Sequence, residues 1–459
     1  ILSGGAASVY DKSSPKCDAG ILKLGVPVLG ICYGHQLIAY LERGAVRYGK
    51  EGEYGTTNLN IQKNGVLLQG LRKMEQVWMN HRDIVERLPA GYSTLASTGS
   101  SRIAAYANTR KRIYGVQFHP EVTHTTRGQR ILKNFARLIC RARRQYSTQD
   151  FINNAVKEAR KAIGKRKAIL GLSGGIDSST AAVLMEKAIG GQLTAVYVDT
   201  GLMRHQETEF MKKTFQGHKM KFRAINAGQR FFKALRGVTS PEQKRKIIGS
   251  LFVRIFEEEA RKEKAQILIQ GTIYSDRIES GITKHSAIIK SHHNVGGLPK
   301  KMNLEVYEPL RDIYKDEVRK TARTLGLPDG IIGRHVFPGP GIAIRIVGEV
   351  TSEKAEIVRK ASYIVEQELQ KAGLYNKVWM GFAVLLSLKC VGIQGDERTY
   401  RYPIVIRIIE SKDAMTANYT KMPYDILGNM STRIVNEIKQ VNRVVYDITN
   451  KPPGTMEWE

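Results

Sequence analysis

The apolar positions of the chain fall into two kinds of block, and their alternation predicts its architecture. Val26 to Ile31, Lys167 to Leu170, Leu193 to Asp199 and Ala265 to Thr272 each hold a short apolar run, Val28 to Ile31, Ala168 to Leu170, Ala195 to Val198 and Ile267 to Ile269. Such runs predict strands buried on both faces, as in a parallel sheet. Leu37 to Leu41, Phe151 to Ile163 and Thr180 to Met185 carry helical patterns between them, and Glu353 to Lys371 predicts a helix stopped at Gly373. Strands alternating with helices predict a doubly wound α/β sheet, with ligands at the carboxyl ends of its strands. Towards the C-terminus, Val378 to Leu388 and Pro403 to Ile409 read as strands flanking Val391 to Arg398. A helix near Ser431 to Val441 and a strand Val444 to Ile448 complete a small α+β domain. A sheet with helices on one face leaves the other needing cover, so this last domain is expected to dimerise. The basic stretch Arg141 to Gln145 is the expected linker. The expected domains are therefore 1–143, 144–340 and 341–459. The chain opens on Ile1-Leu2-Ser3-Gly4-Gly5, the end of a strand, so earlier residues are expected to precede it.

Composition narrows the class without changing the architecture. The 459 residues suffice for two or three domains with their own cores. No apolar run reaches membrane-spanning length and the start lacks a signal-peptide pattern, so no membrane is expected. Cysteines at 17, 32, 140 and 390 show neither metal-ligand spacing nor a paired framework, which points to a reducing, cytoplasmic setting. The net charge of +29 fits either nucleic acid or anionic small substrates. Its positive residues are dispersed, at Arg141 to Arg144, Lys157 to Lys167, Lys244 to Lys246 and Lys300-Lys301. No base-stacking aromatic pattern interleaves them, and no nucleic-acid partner is expected.

Two turns carry candidate chemistry. Ser173-Gly174-Gly175-Ile176-Asp177-Ser178-Ser179 joins a predicted strand to a predicted helix. Its backbone N–H groups and hydroxyls can converge on an anion at a helix N-terminus. Asp177 would repel a bare phosphate, and so suits a Mg²⁺ ion shared with phosphates. Earlier, Gly30-Ile31-Cys32-Tyr33-Gly34 has the spacing of a nucleophile elbow, with small residues where the tight turn crowds its neighbours. A cysteine beside a helix N-terminus favours its thiolate. His119 and Glu121, two apart in an extended stretch, project to the same side, so Glu121 can hold the imidazole that faces Cys32. His35, just after the elbow, is expected to be packed or substrate-facing rather than catalytic.

Cys-Tyr-Gly-His-Gln with Phe-His-Pro-Glu resembles the class I glutamine amidotransferases, although that family's upstream Asp-Phe-Gly strand is absent. The resemblance implies Cys32 as nucleophile, His119 as base and acid, Glu121 as orienter, and an oxyanion hole from the N–H groups of Gly5 and Tyr33. The second turn resembles the PP-loop ATP pyrophosphatases. That implies phosphate and Mg²⁺ contacts from Ser173 to Ser178, with Val198 and Phe252 bordering adenine. Asp276 and Glu279, three apart, share one face of a helical turn. With Lys290, His292, His293 and Asn294 they read as a closing lid. The two adjacent histidines lack a third ligand, and Lys290 suits a countercharge on phosphates.

Ile289 to Pro299, Pro241 to Gly249 and Phe337 to Arg345 are similar to the glutamine-hydrolysing GMP synthase family. That implies glutamine, ATP and xanthosine monophosphate (XMP) as substrates. It further implies XMP contacts from Arg245, Pro338, Gly339, Gln394, Asp396, Lys451 and Glu457, and a homodimer through the C-terminal domain. A glutamine-dependent NAD synthetase would use the same chemistry on another acceptor. A PP-loop RNA-modifying protein would use the charge, but would have little need of a glutaminase triad.

Overall fold

A computed structural model describes residues 1–122, 124–143, 147–276, 304–411 and 416–459. They divide into two compact units, Ile1–Gln145 and Tyr146–Glu459. Among the described residues, no helix is long and apolar enough to cross a membrane.

The first unit is built on one sheet. β1 (Val28–Ile31) lies parallel to β6 (Ile113–Val116), and then come β5 (Ala105–Asn108), β4 (Ser93–Ser97), β2 (Ala45–Ile61) and β3 (Met74–Arg87), all antiparallel. The opening residues extend along β1, with Leu2 bridging Gly30 in parallel. Helix α1 (Tyr33–Leu41) starts directly from β1, and α2 (Gly128–Asn134) follows β6. The β2–β3 hairpin is absent from the sequence expectations. Its inward positions on β3 include His81 and Asp83 beside Val77, Met79 and Val85. Those polar members hide the apolar alternation that marks a half-buried strand.

The second unit begins with α3 (Thr148–Ile163), held at its start by a Ser147–Asp150 capping box. Its first sheet is wholly parallel, in the order β11 (Glu305–Tyr307), β10 (Ile267–Ile269), β7 (Ala168–Leu172), β8 (Leu193–Asp199), β9 (Lys221–Asn226). Successive residues of a strand face opposite sides. Leu170 and Ala195 pack with α3 and α4 (Ile176–Ile189) on one face. Ile169 and Val196 pack with α7 (Pro241–Glu263) on the other. The sheet is therefore covered on both faces, as the continuous apolar runs predicted. Helices α5 (Glu207–Phe215) and α6 (Gly228–Ala234) follow β8 and β9, and α8 (Lys315–Thr324) follows β11.

The last sheet runs β12 (Ile346–Val347), β13 (Met380–Leu386), β15 (Glu397–Glu410), β14 (Cys390–Gln394). β16 (Asn418–Tyr419) and β17 (Val441–Tyr446) also pair with β15. Helices α9 (Ser352–Lys371) and α10 (Tyr424–Glu437) pack into its core through Ile357, Ile364, Met430 and Ile434. The stretch Val391 to Arg398, expected between strands, is itself a hairpin in which Gln394 pairs with Glu397. Gly395 and Asp396 both have positive φ, +61° and +62°, the backbone of a two-residue type I′ turn.

Candidate functional site

The elbow is shaped by close backbone contact. Cys32 sits at φ +51°, ψ −105° between β1 and α1, and its N–H donates to Val116 O at 2.9 Å. A Cβ on Gly30 would lie 2.4 Å from Gly34 O, and one on Gly34 would lie 2.2 Å from Leu2 O. Both contacts are with backbone, so only glycine lets the strand, the helix start and the opening residues meet here. A Cβ on Gly4 would lie 3.0 Å from His119 Cε1 and 3.6 Å from Cys32 Cβ, so cysteine and histidine converge on one spot. Gly5 faces Tyr33, whose N–H, in the first turn of α1, has no intrahelical acceptor.

His119 Nδ1 and Glu121 Oε1 are 2.7 Å apart. The hydrogen bond with Cys32, and then that with Glu121, raise the His119 pKa to about 10. His119 therefore carries its proton at neutral pH, and an imidazolium is the neighbour that a thiolate needs. The histidine backbone is fixed as well: His119 N donates to Trp78 O at 3.0 Å, and Thr125 Oγ1 donates to His119 O at 2.6 Å.

Two neighbours were missed in the sequence. The Cys32 thiol lies 3.8 Å from Asn80 O, and Gln117 Nε2 lies 3.9 Å from the sulfur. Gln117 in turn accepts from Gln36 Nε2 at 3.2 Å. Gln117 precedes His119 by two and shares its side in extended chain, a signal that was available; Asn80 depends on the unpredicted β3. His35 is packed. It is fully buried, its ring lies 4.5 Å from that of Tyr106 at a 31° tilt, and burial lowers its pKa to about 3.

In the second unit the Ser173–Ser178 turn joins β7 to α4. Gly174 takes φ +79°. Ser173 Oγ and Ser178 Oγ are 3.0 Å apart, and Ser178 Oγ donates to Gly175 O at 3.1 Å. The backbone after β10 closes on the helix start, where a Cβ on Gly271 would be 3.2 Å from Ser178 N. That is the crevice beside the first strand of a doubly wound sheet. Asp177 Oδ2 pairs with Lys315 Nζ at 2.5 Å, while its Oδ1 is buried without a hydrogen-bond partner among the described residues. Lys315, in the first turn of α8, was missed because nothing local links it to a turn so far upstream. Ile176 opens α4, whereas Ser179 is fully buried in its packing. Val198 is buried in β8, and Phe252 is partly buried on α7.

The tail is tied to buried cations. Lys244, with no exposed surface, donates to Ile346 O at 2.7 Å and pairs with the Glu459 carboxylate. Arg245 donates to the Glu459 carbonyl. Arg345 holds Glu457 through two bonds of 2.8 and 3.0 Å. Arg407, 1% exposed, pairs with Asp447 at 2.6 Å and donates to Thr455 O and Met456 O. Lys451 bridges Ala417 in antiparallel register. Pro338 accepts from Gly341 N at 2.9 Å in the turn that includes Gly339. Gln394 and Asp396 lie at the β14–β15 hairpin, where Gln394 Nε2 reaches Val441 O at 3.4 Å. Asp276 accepts from Ile273 N at 3.1 Å. Glu279, Lys290, His292, His293 and Asn294 lie outside the described residues.

Comparison with known proteins covers both units. A model of class I glutamine amidotransferases matches residues 1–139, a model of NAD synthase matches 146–255, and a model of the GMP synthase C-terminal domain matches 367–458. A glutamine-hydrolysing GMP synthase of Symbiobacterium thermophilum is 51% identical over 100% of this chain and 90% of its own. Another, of Aquifex aeolicus, is 50% identical over the same shares. The chain belongs to the glutamine-hydrolysing GMP synthase family. Within that family the two turns have complementary places, one in an amidotransferase fold and one in an ATP-using fold.

Proposed function

We propose that this chain synthesises GMP from XMP, ATP and glutamine. One observation carries the reading: the same chain holds the convergent Cys32, His119 and Glu121 and the hydroxyl-lined Ser173–Ser178 turn. In the first unit the Cys32 thiolate attacks the glutamine side-chain carbonyl, while the N–H groups of Gly5 and Tyr33 stabilise the oxyanion. His119 gives its proton to the departing ammonia, leaving a thioester. Neutral again, His119 takes a proton from water, whose hydroxide releases glutamate and restores the thiolate. Glu121 keeps the imidazole aimed through both steps.

In the second unit the Ser173–Ser178 turn holds the β- and γ-phosphates, with Val198 and Phe252 bordering adenine. An XMP carbonyl oxygen attacks the α-phosphorus and pyrophosphate leaves; ammonia then displaces AMP to give GMP. Magnesium fits here, because the buried Asp177 Oδ1, without a hydrogen-bond partner among the described residues, is an oxygen that a hard cation would satisfy. Bound there, it would neutralise charge on the departing pyrophosphate. Asp276, Glu279, Lys290, His292, His293 and Asn294 are assigned to the lid. Arg245, Pro338, Gly339, Gln394, Asp396, Lys451 and Glu457 are assigned to XMP.

We assign 1–143 to the glutaminase domain and, within the second compact unit, 144–340 to the ATP-using part and 341–459 to the part built on the last sheet. Val391 and Tyr400 are register partners on β14 and β15, and with Ile393 they are 49%, 58% and 76% exposed. Apolar side chains so placed suit a second copy of the chain, and we assign the homodimer to this face. Free cysteines throughout suit a cytoplasmic setting. The test is one assay with XMP, Mg·ATP and either glutamine or ammonium, measuring GMP and pyrophosphate together. Equal yields from both nitrogen sources are expected, and no pyrophosphate from either would sink the reading.

A further inference from the structure

The segment after β8 and the segment before Pro338 meet around a buried ion pair that the reaction above does not use. Glu207 opens α5 and is 4% exposed. Arg334 Nη1 donates to Glu207 Oε1 at 2.5 Å, and the guanidinium lies over the Phe210 ring, 4.2 Å from its centre. The same carboxylate oxygen occupies the space where Gly174 would carry a side chain, 2.6 Å from the Cβ position. Glu207 Oε2 is buried and unpartnered among the described residues. A carboxylate packed against an anion-binding turn is unfavourable unless its charge is compensated, and Arg334 compensates it.

The contact continues from Arg334 towards the nucleotide turn. His335 O accepts from Arg204 Nη2 at 2.5 Å, and the His335 ring stacks on Tyr375 at 3.8 Å. A Cβ on Gly341 would lie 2.3 Å from Leu202 O, which also accepts from Ile342 N at 2.9 Å. The 201–207 and 334–342 segments are thus joined at both ends. Gly174 lies at one end and the Pro338–Gly341 turn at the other.

We propose that Glu207 and Arg334 are positioning residues for the phosphate-binding turn, with the Glu207 carboxylate acting as the stop that holds Gly174 and Arg334 locking that stop in place. This rests on the reading that the Ser173–Ser178 turn takes the phosphates of ATP. Gly174, in the left-handed region, has no side chain of its own to fix it. A turn left loose is ordered by the phosphates when they bind, so the loss falls on ATP affinity rather than on turnover at saturation.

The test compares Arg334→Met, Arg334→Lys and Glu207→Ala in the full chain, following pyrophosphate release with XMP, Mg·ATP and ammonium. Methionine leaves the Glu207 charge buried and uncompensated; lysine restores the charge but not the flat stack on Phe210. For Arg334→Met and Glu207→Ala, KM for ATP should rise about tenfold, with kcat within about threefold of the parent. Arg334→Lys should recover KM to within about threefold. The proposal is overturned if KM is unchanged in both disruptive variants, or if kcat falls instead. It is equally overturned if lysine does no better than methionine, or if none of the variants folds, which would mark the pair as a stability element. Failure of the parent enzyme to release pyrophosphate would strike the underlying reading instead.

Discussion

Replacing Lys244 with methionine should undock the C-terminal tail without unfolding the unit. The Lys244 ammonium is wholly buried, and its partners are Ile346 O at 2.7 Å, Ala343 O at 3.4 Å and the Glu459 carboxylate. Burial pulls its pKa below the usual lysine range, and the bond to Glu459 works against that. Removing one partner of a buried pair costs roughly 3–5 kcal/mol when the other charge stays buried. Glu459 rides on the tail, so its carboxylate can escape to water by leaving with that segment. The loss then appears as tail docking: about 3 kcal/mol is a factor of roughly 150 in the docked-to-undocked ratio. Arg345 and Arg407 keep their own ties to Glu457 and to Thr455 and Met456, so part of the docking survives. Lys451 and Glu457, assigned to XMP, ride on this segment. The expected outcome is a KM for XMP raised at least about tenfold, with glutamine hydrolysis unchanged. Hydrogen exchange should also quicken across 451–459. The assay pairs an XMP titration, with ammonium as nitrogen source, with that exchange measurement. Rapid exchange of the tail with an unaltered KM for XMP would refute its role in binding. Unchanged exchange would refute Lys244 as its anchor.

Three further outcomes test the two sites. Cys32→Ala should lower glutamine-dependent GMP synthesis by at least about 10³-fold while ammonium-dependent synthesis stays within about twofold; parallel loss of both in a folded variant would break the division of labour. Asp177→Asn should cut pyrophosphate release by at least about a hundredfold with either nitrogen source, and undiminished release would remove Asp177 from the phosphate site. The His119 pKa is raised from 6.5 to about 10, so its proton is held below that value and lost as pH climbs through it. His119 therefore stays protonated through neutral pH, and kcat/KM for glutamine hydrolysis should show its alkaline fall near 10. Glu121→Gln removes the second cause of the shift and should move that fall to lower pH, whereas a fall already at about 6.5 in the parent would contradict the pairing.

What the sequence disclosed depended on whether the physics was local. Ser173 to Ser179 and Gly30 to Gly34 are strand-to-helix turns whose glycines and small residues act within a few positions of one another, so the turn geometry of both was legible. The parallel strands β7 and β8 were legible because both faces are covered, which leaves apolar runs such as Ala195 to Val198. The β2–β3 hairpin was not, because Glu53 and His81 meet in the interior 3.1 Å apart and replace the apolar alternation with polar inward positions. Nor were Lys315 against Asp177, or Lys244 against Glu459, since each joins residues more than a hundred positions apart and no local pattern records such a partner. Lys244 stood in a visibly basic run, Lys244 to Lys246, with nothing local to mark it as buried. Its burial follows only once α7, β12 and the tail are packed together. The same holds for Arg407, which interrupts the apolar run Pro403 to Ile409 as an outward-facing charge would, yet is 1% exposed. A strand that buries a guanidinium must supply acceptors for its donors. The acceptors here are carbonyls of the tail and Asp447, so the odd charge inside an apolar strand was itself the sign that another segment had to fold over it.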